Sequence, residues 1–213
     1  MREIIDLKLG DIKEPLPNFI KRKFREIFKE INFYPRNYDL LIEKIAKKFR
    51  LKNENILLIN GIDEGIDLIT RTFGENILIF TPTYFEFFEA AKRNNLKITK
   101  INTFDGKEYK PEIKKGRLEK YSLIFLCNPN NPFGLFNIKK INEILQNAKG
   151  IVAIDECYID FAGKSSIKLI KKFSNLLVLR SFSKGYSLAG LRIGFIVGNK
   201  KLIEKIREAK LSK

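Results

Sequence analysis

Seven short apolar runs punctuate the 213 residues of this chain: Ile56–Ile59, Ile77–Phe80, Ile98–Ile101, Leu123–Cys127, Ile151–Ile154, Leu176–Leu179 and Ile193–Val197. Most lack polar alternation, as strands buried on both faces do. Stretches of helical period separate most of them. These are residues 62–73, with Ile62, Ile66, Ile69 and Phe73 on one face, Phe85–Arg93 and Ile138–Ala148. Strands alternating with helices predict a mainly parallel sheet covered on both faces, a three-layer α/β/α domain. Right-handed crossovers would gather the C-terminal ends of the strands at one edge, where open α/β sheets bind ligands. The residues that follow each run are therefore the ones to read.

Ahead of this alternation, residues 1–14 are polar and irregular. Pro15 and Pro17 open a predicted helix to about Ile31, with Phe19, Ile20, Phe24, Ile27, Phe28 and Ile31 at helical spacing. Phe33-Tyr34-Pro35-Arg36-Asn37 breaks the pattern, and a second amphipathic helix is predicted over Tyr38–Phe49. Asn60-Gly61 reads as a turn and helix cap, and Lys200–Lys213 as the start of a long helix without a stop signal. The expected division is an N-terminal arm, 1–35, and a large domain, 36–213.

Composition narrows the chemistry. Histidine is absent, which excludes Ser-His-Asp triads, Cys-His dyads and zinc sites that use His. The two cysteines, Cys127 and Cys157, fit no metal-ligand spacing, so no metal is expected. Any general base must be Lys, Asp, Glu or Tyr. Net charge is +16, but the lysines are spread along helix-like segments, as on an ordinary solvated surface, and a nucleic-acid partner is not expected. No apolar run approaches the ~20 residues that cross a bilayer, and charges interrupt Met1–Asp6 where a signal peptide would be apolar. A cytoplasmic protein without a membrane partner is the expectation.

The strand ends carry a polar set. Asn128-Pro129-Asn130-Asn131-Pro132-Phe133-Gly134 follows one run, and Asp155-Glu156-Cys157-Tyr158 another. Gly61 at a helix start and Pro82-Thr83-Tyr84 follow two more. After Leu176–Leu179 comes Arg180–Phe195, RSFSKGYSLAGLRIGF, with Ser181, Ser183, Lys184 and Arg192. Singly, each reads as a turn, a cap or a solvated lysine. Together, a carboxylate, an amine, a phenol, an amide, an aromatic face and several anion donors on one edge suit a planar, phosphorylated, protonatable cofactor. Pyridoxal 5′-phosphate has those properties.

These segments, with Phe33–Pro35 (FYP) and Asn60–Ile66 (NGIDEGI), resemble the fold-type I pyridoxal-phosphate aminotransferases of class I/II, nearest the histidinol-phosphate aminotransferase branch. The similarity runs from about Asp6 to the last residue. It implies an aminotransferase of histidine or amino-acid biosynthesis, acting on an amino-acid-like substrate, with or without a phosphate, and a keto acid. By the resemblance Lys184 forms the Schiff base with the cofactor and serves as the base. Asp155 pairs with the pyridinium nitrogen, Tyr158 and Asn131 bond the ring's phenolate oxygen, and Tyr84 stacks on the ring. Ser181 and Arg192 hold the phosphate with the amides of Gly61, Ile62 and Asp63, the Asp63 side chain being expected to turn away. Tyr34 reaches the phosphate in a neighbouring subunit, which implies a homodimer.

The chain departs from the family at Phe133, usually Thr, and Cys157, usually Ala. It is also short, and the C-terminal small domain with its substrate-clamping arginine is expected to be missing. Two alternatives stay open: a decarboxylase of the threonine-phosphate type, and a truncated or split cofactor-binding chain without catalysis.

Overall fold

In a computed structural model, residues 12, 15–34, 38–107, 118–135 and 137–210 are described. The expectation for residues 1–14 falls almost wholly outside them, as do 35–37 of the predicted break and 211–213 of the last helix. The elements run α1 (Asn18–Ile27), α2 (Tyr38–Phe49), β1 (Ile56–Ile59), α3 (Gly61–Phe73), β2 (Asn76–Thr81), α4 (Glu86–Arg93) and β3 (Lys97–Asn102). They continue β4 (Leu123–Cys127), α5 (Ile138–Asn147), β5 (Ile151–Asp155), β6 (Leu176–Ser181), β7 (Gly194–Gly198) and α6 (Lys200–Ala209).

Among the described residues seven strands form one sheet in the order β1-β7-β6-β5-β4-β2-β3. The pairs from β6 to β3 are parallel, whereas β7 runs antiparallel to both β1 and β6. The mainly parallel expectation holds, with one reversed strand inside the sheet. The reason is the short connection from β6 to β7, which carries only a 3₁₀ turn at Ala189–Leu191 and no crossover helix.

Successive residues of each strand point to opposite faces, and each face has its own core. On one, Ile124, Leu126, Val152, Ile154 and Val178 pack with Ile45 of α2 and with Ile141, Ile144 and Leu145 of α5. On the other, Leu123, Phe125, Ala153, Leu177 and Leu179 meet Ile66 and Ile69 of α3, Phe87 and Ala90 of α4, and Ile203 and Ile206 of α6. Two fully covered faces explain why the strands read as unbroken apolar runs.

Three elements differ from expectation in detail. Helix α1 ends at Ile27 and tightens into a 3₁₀ turn over Phe28–Glu30, and it buries no side chain. Asn60 holds the cap position of α3 but makes no side-chain cap bond; its own N–H donates to Glu64 at 2.5 Å. Helix α6 is capped by the Asn199 side chain and stops at Ala209.

Candidate active site

Strands β1 and β6 both run against β7 and so point the same way, along with β5, β4 and β2. Their C-terminal ends open on a cleft of about 980 Å³. The floor is the end of β5. Asp155 is 3% exposed, and its carboxylate accepts from the Cys157 N–H at 2.8 Å. Burial pushes its pKa up to about 7, with further push from the charges of Asp63 and Glu156. Two residues on, burial likewise pushes the Cys157 thiol up to about 12.

Lys184 comes from the loop after β6, with its Nζ 5.8 Å from the centre of the Tyr158 ring. Burial raises the pKa of the Tyr158 hydroxyl, and the nearby Asn131 side chain opposes the rise. Asn131 sits in a turn closed by mutual backbone bonds between Asn130 and Gly134 at 2.6 and 2.7 Å. Two of the asparagine-proline bonds there, before Pro129 and Pro132, are cis. On the opposite wall, the Tyr84 hydroxyl donates to Asp63 at 2.9 Å, and burial followed by that bond raises its pKa.

The third group lies at the start of α3. Arg192 pairs with Asp63, Nη2 to Oδ2, at 3.0 Å. Gly61 has φ +82°, and a Cβ there would stand 2.6 Å from Arg192 Nη2. Only glycine meets both demands, a left-handed backbone and a guanidinium laid against it. The first turn of α3 has N–H groups without helical partners, which favour an anion at this end. Ser181 and Ser183 complete the wall, and the Ser183 N–H donates to Ser181 Oγ at 3.0 Å.

Of the residues singled out in the sequence, Ile62, Asp63, Tyr84, Asn131, Asp155, Tyr158, Ser181, Lys184 and Arg192 line this cleft. Gly61 lies directly behind Arg192. Tyr34 is not brought there within the chain; it is 94% exposed. The Asp63 side chain contradicts expectation. It faces the cleft because it is the shared acceptor for Tyr84 and Arg192, which offset its charge. Arginine has five N–H donors, so one bond to Asp63 leaves others for an anion. Thr83 and Ser183, named among the strand-end residues in the sequence but given no role there, also line the cleft. Thr83 Oγ1 is buried without a hydrogen-bond partner among the described residues. Their positions beside Tyr84 and Lys184 were the available signal.

The residues fit pyridoxal 5′-phosphate on their own chemistry. An amine, a buried carboxylate and an arginine beside a helix start lie on different walls of one cleft, matching an aldehyde, a ring N–H and a phosphate. Among the described residues no cluster could hold a metal ion, and no helix is long and apolar enough to cross a membrane.

Comparison with known proteins agrees. The family model for aminotransferases of class I and II matches residues 2–212. A histidinol-phosphate aminotransferase of Pyrococcus furiosus is 36% identical over 202 residues, covering 90% of this chain and 58% of that protein. The crystal structure of the histidinol-phosphate aminotransferase from Clostridium acetobutylicum matches with a TM-score of 0.83 at 30% identity, covering 92% of this chain and 61% of that one. L-threonine-O-3-phosphate decarboxylase from Porphyromonas gingivalis matches with a TM-score of 0.82 at 25% identity, covering 92% and 64%. The chain thus spans less than two thirds of the length of these proteins.

Proposed function

The chain belongs to the class I and II aminotransferases, and from that premise we propose that it holds pyridoxal 5′-phosphate in the cleft and serves amino-group transfer. The substrate class is an amino-acid-like, phosphorylated amine paired with a keto acid, in line with the histidinol-phosphate aminotransferases it is similar to. The observation that carries this reading is the convergence on one cleft of Asp155, from the end of β5, with Lys184 and Arg192, from the two ends of the β6–β7 connection. The decarboxylase reading shares the fold, but its representative is less similar in sequence than the aminotransferases.

When bound, the cofactor supplies an aldehyde that condenses with amines and a ring that withdraws electrons from the carbon beside the nitrogen. The chain supplies the rest. Lys184 Nζ would hold the cofactor's aldehyde carbon and would serve as the base that moves the proton at the substrate's Cα. Asp155 keeps the ring nitrogen protonated; a cation there offsets the cost of its buried charge. Tyr158 and Asn131 would orient the cofactor by hydrogen bonding, and Tyr84 would offer its ring an aromatic surface. Arg192, Ser181 and the amides of Gly61, Ile62 and Asp63 hold the phosphate.

The exposed Tyr34 completes a neighbouring subunit's site in a homodimer, with residues 1–35 as the arm and 36–213 as the cofactor-holding domain. A cytoplasmic location suits such an enzyme. The test is direct. Purified chain incubated with pyridoxal 5′-phosphate gains a visible absorbance that Lys184→Ala abolishes, and transfers amino groups from histidinol phosphate to a 2-oxo acid. Wild-type protein that gains no Lys184-dependent absorbance sinks the reading.

A further inference from the structure

Directly behind the site lies a group of charges that the proposed chemistry does not use. Glu156, the residue after Asp155, is fully buried. Its carboxylate accepts from the Ser165 hydroxyl at 2.6 Å and the Ser166 N–H at 2.5 Å. Arg180, the residue before Ser181, is 5% exposed and pairs with Glu156 at 3.5 Å and with Asp160 at 2.6 Å. Its guanidinium also lies 5.5 Å from the centre of the Phe49 ring. The residue after Lys184 closes the set. A Cβ on Gly185 would stand 2.6 Å from Asp160 Cβ and 2.8 Å from Asp160 Oδ2, so the turn carrying Lys184 rests on the Asp160 side chain.

A buried ion pair is a poor source of stability, because desolvation offsets most of its attraction and apolar side chains of similar volume serve as well. Arg180 Nε is moreover buried without a hydrogen-bond partner among the described residues. What charges give here is fixed geometry: Arg180 and Asp160 bond at one angle and one separation. Each member adjoins a cleft residue in sequence or in contact: Glu156 adjoins Asp155, Arg180 adjoins Ser181, and Asp160 meets the Lys184 turn. We infer that Glu156, Arg180 and Asp160 are positioning residues, a strut buried at Glu156 and Arg180 and reaching the surface at Asp160, that sets the Lys184 turn at its working distance from Asp155 and Ser181. The inference rests on the reading of the cleft as a pyridoxal 5′-phosphate site.

The test uses Asp160→Asn, which keeps the shape of the side chain, and Gly185→Ala, which strains the same contact from the other side. Two measurements are made on the whole chain. Amide hydrogen exchange of residues 182–187 is followed without cofactor, and the affinity for pyridoxal 5′-phosphate is titrated with Lys184 and in a Lys184→Ala background. Either variant is expected to speed exchange of the 182–187 amides roughly tenfold while leaving β2 and β4 unchanged, the order of coupling found within one bonded network. Affinity is expected to fall by about tenfold where Lys184 is present and by less than about twofold in the Lys184→Ala background. Equal losses in both backgrounds mean a merely structural role and overturn the inference, as does unchanged local exchange. If the wild type takes up no cofactor, the functional reading fails and exchange alone decides on the strut.

Discussion

At Gly61 a single missing methyl holds two requirements together. Its φ of +82° suits glycine, and the Arg192 guanidinium occupies the space where a side chain would begin. Gly61→Ala is expected to cost about 1–2 kcal/mol of stability from the left-handed backbone alone. It should also push Arg192 off the start of α3 and weaken pyridoxal 5′-phosphate binding, read by absorbance titration. Asp155 makes the opposite trade. Its pKa in the folded chain is about 7 against an ordinary 3.8. A carboxyl raised in this way is free of penalty below its unfolded value, and the penalty grows as pH climbs towards 7. Asp155→Asn should therefore stabilise the cofactor-free chain more near pH 8 than near pH 5, by something on the order of 2–4 kcal/mol at the higher pH. Thermal melts at the two pH values check it. The same change should lower turnover by about a hundredfold or more, since the ring nitrogen loses its partner.

Among the elements, α1 and the β6–β7 connection set the two extremes of integration. Helix α1 carries Phe19, Phe24 and Ile27 on an exposed face and buries none of its side chains. Replacing Phe19, Phe24 and Ile27 together by Ala is expected to leave the urea midpoint of dilute protein nearly unchanged, because none of these side chains is buried. Phe87 on α4 is the contrast. It stacks on Phe125 of β4 with centroids 4.7 Å apart, and both rings are buried. Phe87→Ala should cost about 3–5 kcal/mol, read from the same urea curves. The antiparallel course of β7 matters most for the site. Arg192 stands just before β7, so reversal of that strand brings it to the edge where the other strands end. A signal for this lay in the sequence: no helical period separates Leu179 from Ile193, and a parallel partner needs a crossover, usually a helix.

For the whole molecule, Tyr34 is the residue that one chain leaves unassigned. At 94% exposure it takes no part in the cleft of its own chain, which suits a group that acts in a neighbour. Mixed dimers test this. In a hybrid of Lys184→Ala and Tyr34→Ala subunits, one site keeps its own Lys184 and receives Tyr34 from its partner. Mixing the two variants in equal amounts should restore about a quarter of wild-type cofactor sites, counted by absorbance, if subunits exchange freely. No gain on mixing, with exchange shown by mass spectrometry, would put Tyr34 outside the site.

The sequence by itself determined the layers and the cast of residues. Unbroken apolar runs separated by helical periods permit little besides a covered, mainly parallel sheet, and the strand positions follow to within a residue or two. The groups for an aldehyde, a ring nitrogen and a phosphate were visible as the residues after those runs. Three things waited for the tertiary structure. The missing helical period between Leu179 and Ile193 argued against a parallel β7, but which strands it pairs with, and so the delivery of Arg192 to the cleft, was settled only by the pairing with β1 and β6. The orientation of Asp63 depends on Tyr84 and Arg192, which are 21 and 129 residues away along the chain. The ion pairs of Glu156, Arg180 and Asp160 are invisible in a linear reading, because each looks like a polar loop residue until β5 and β6 lie side by side. Periodicity records which face a residue takes; only packing decides what it meets there.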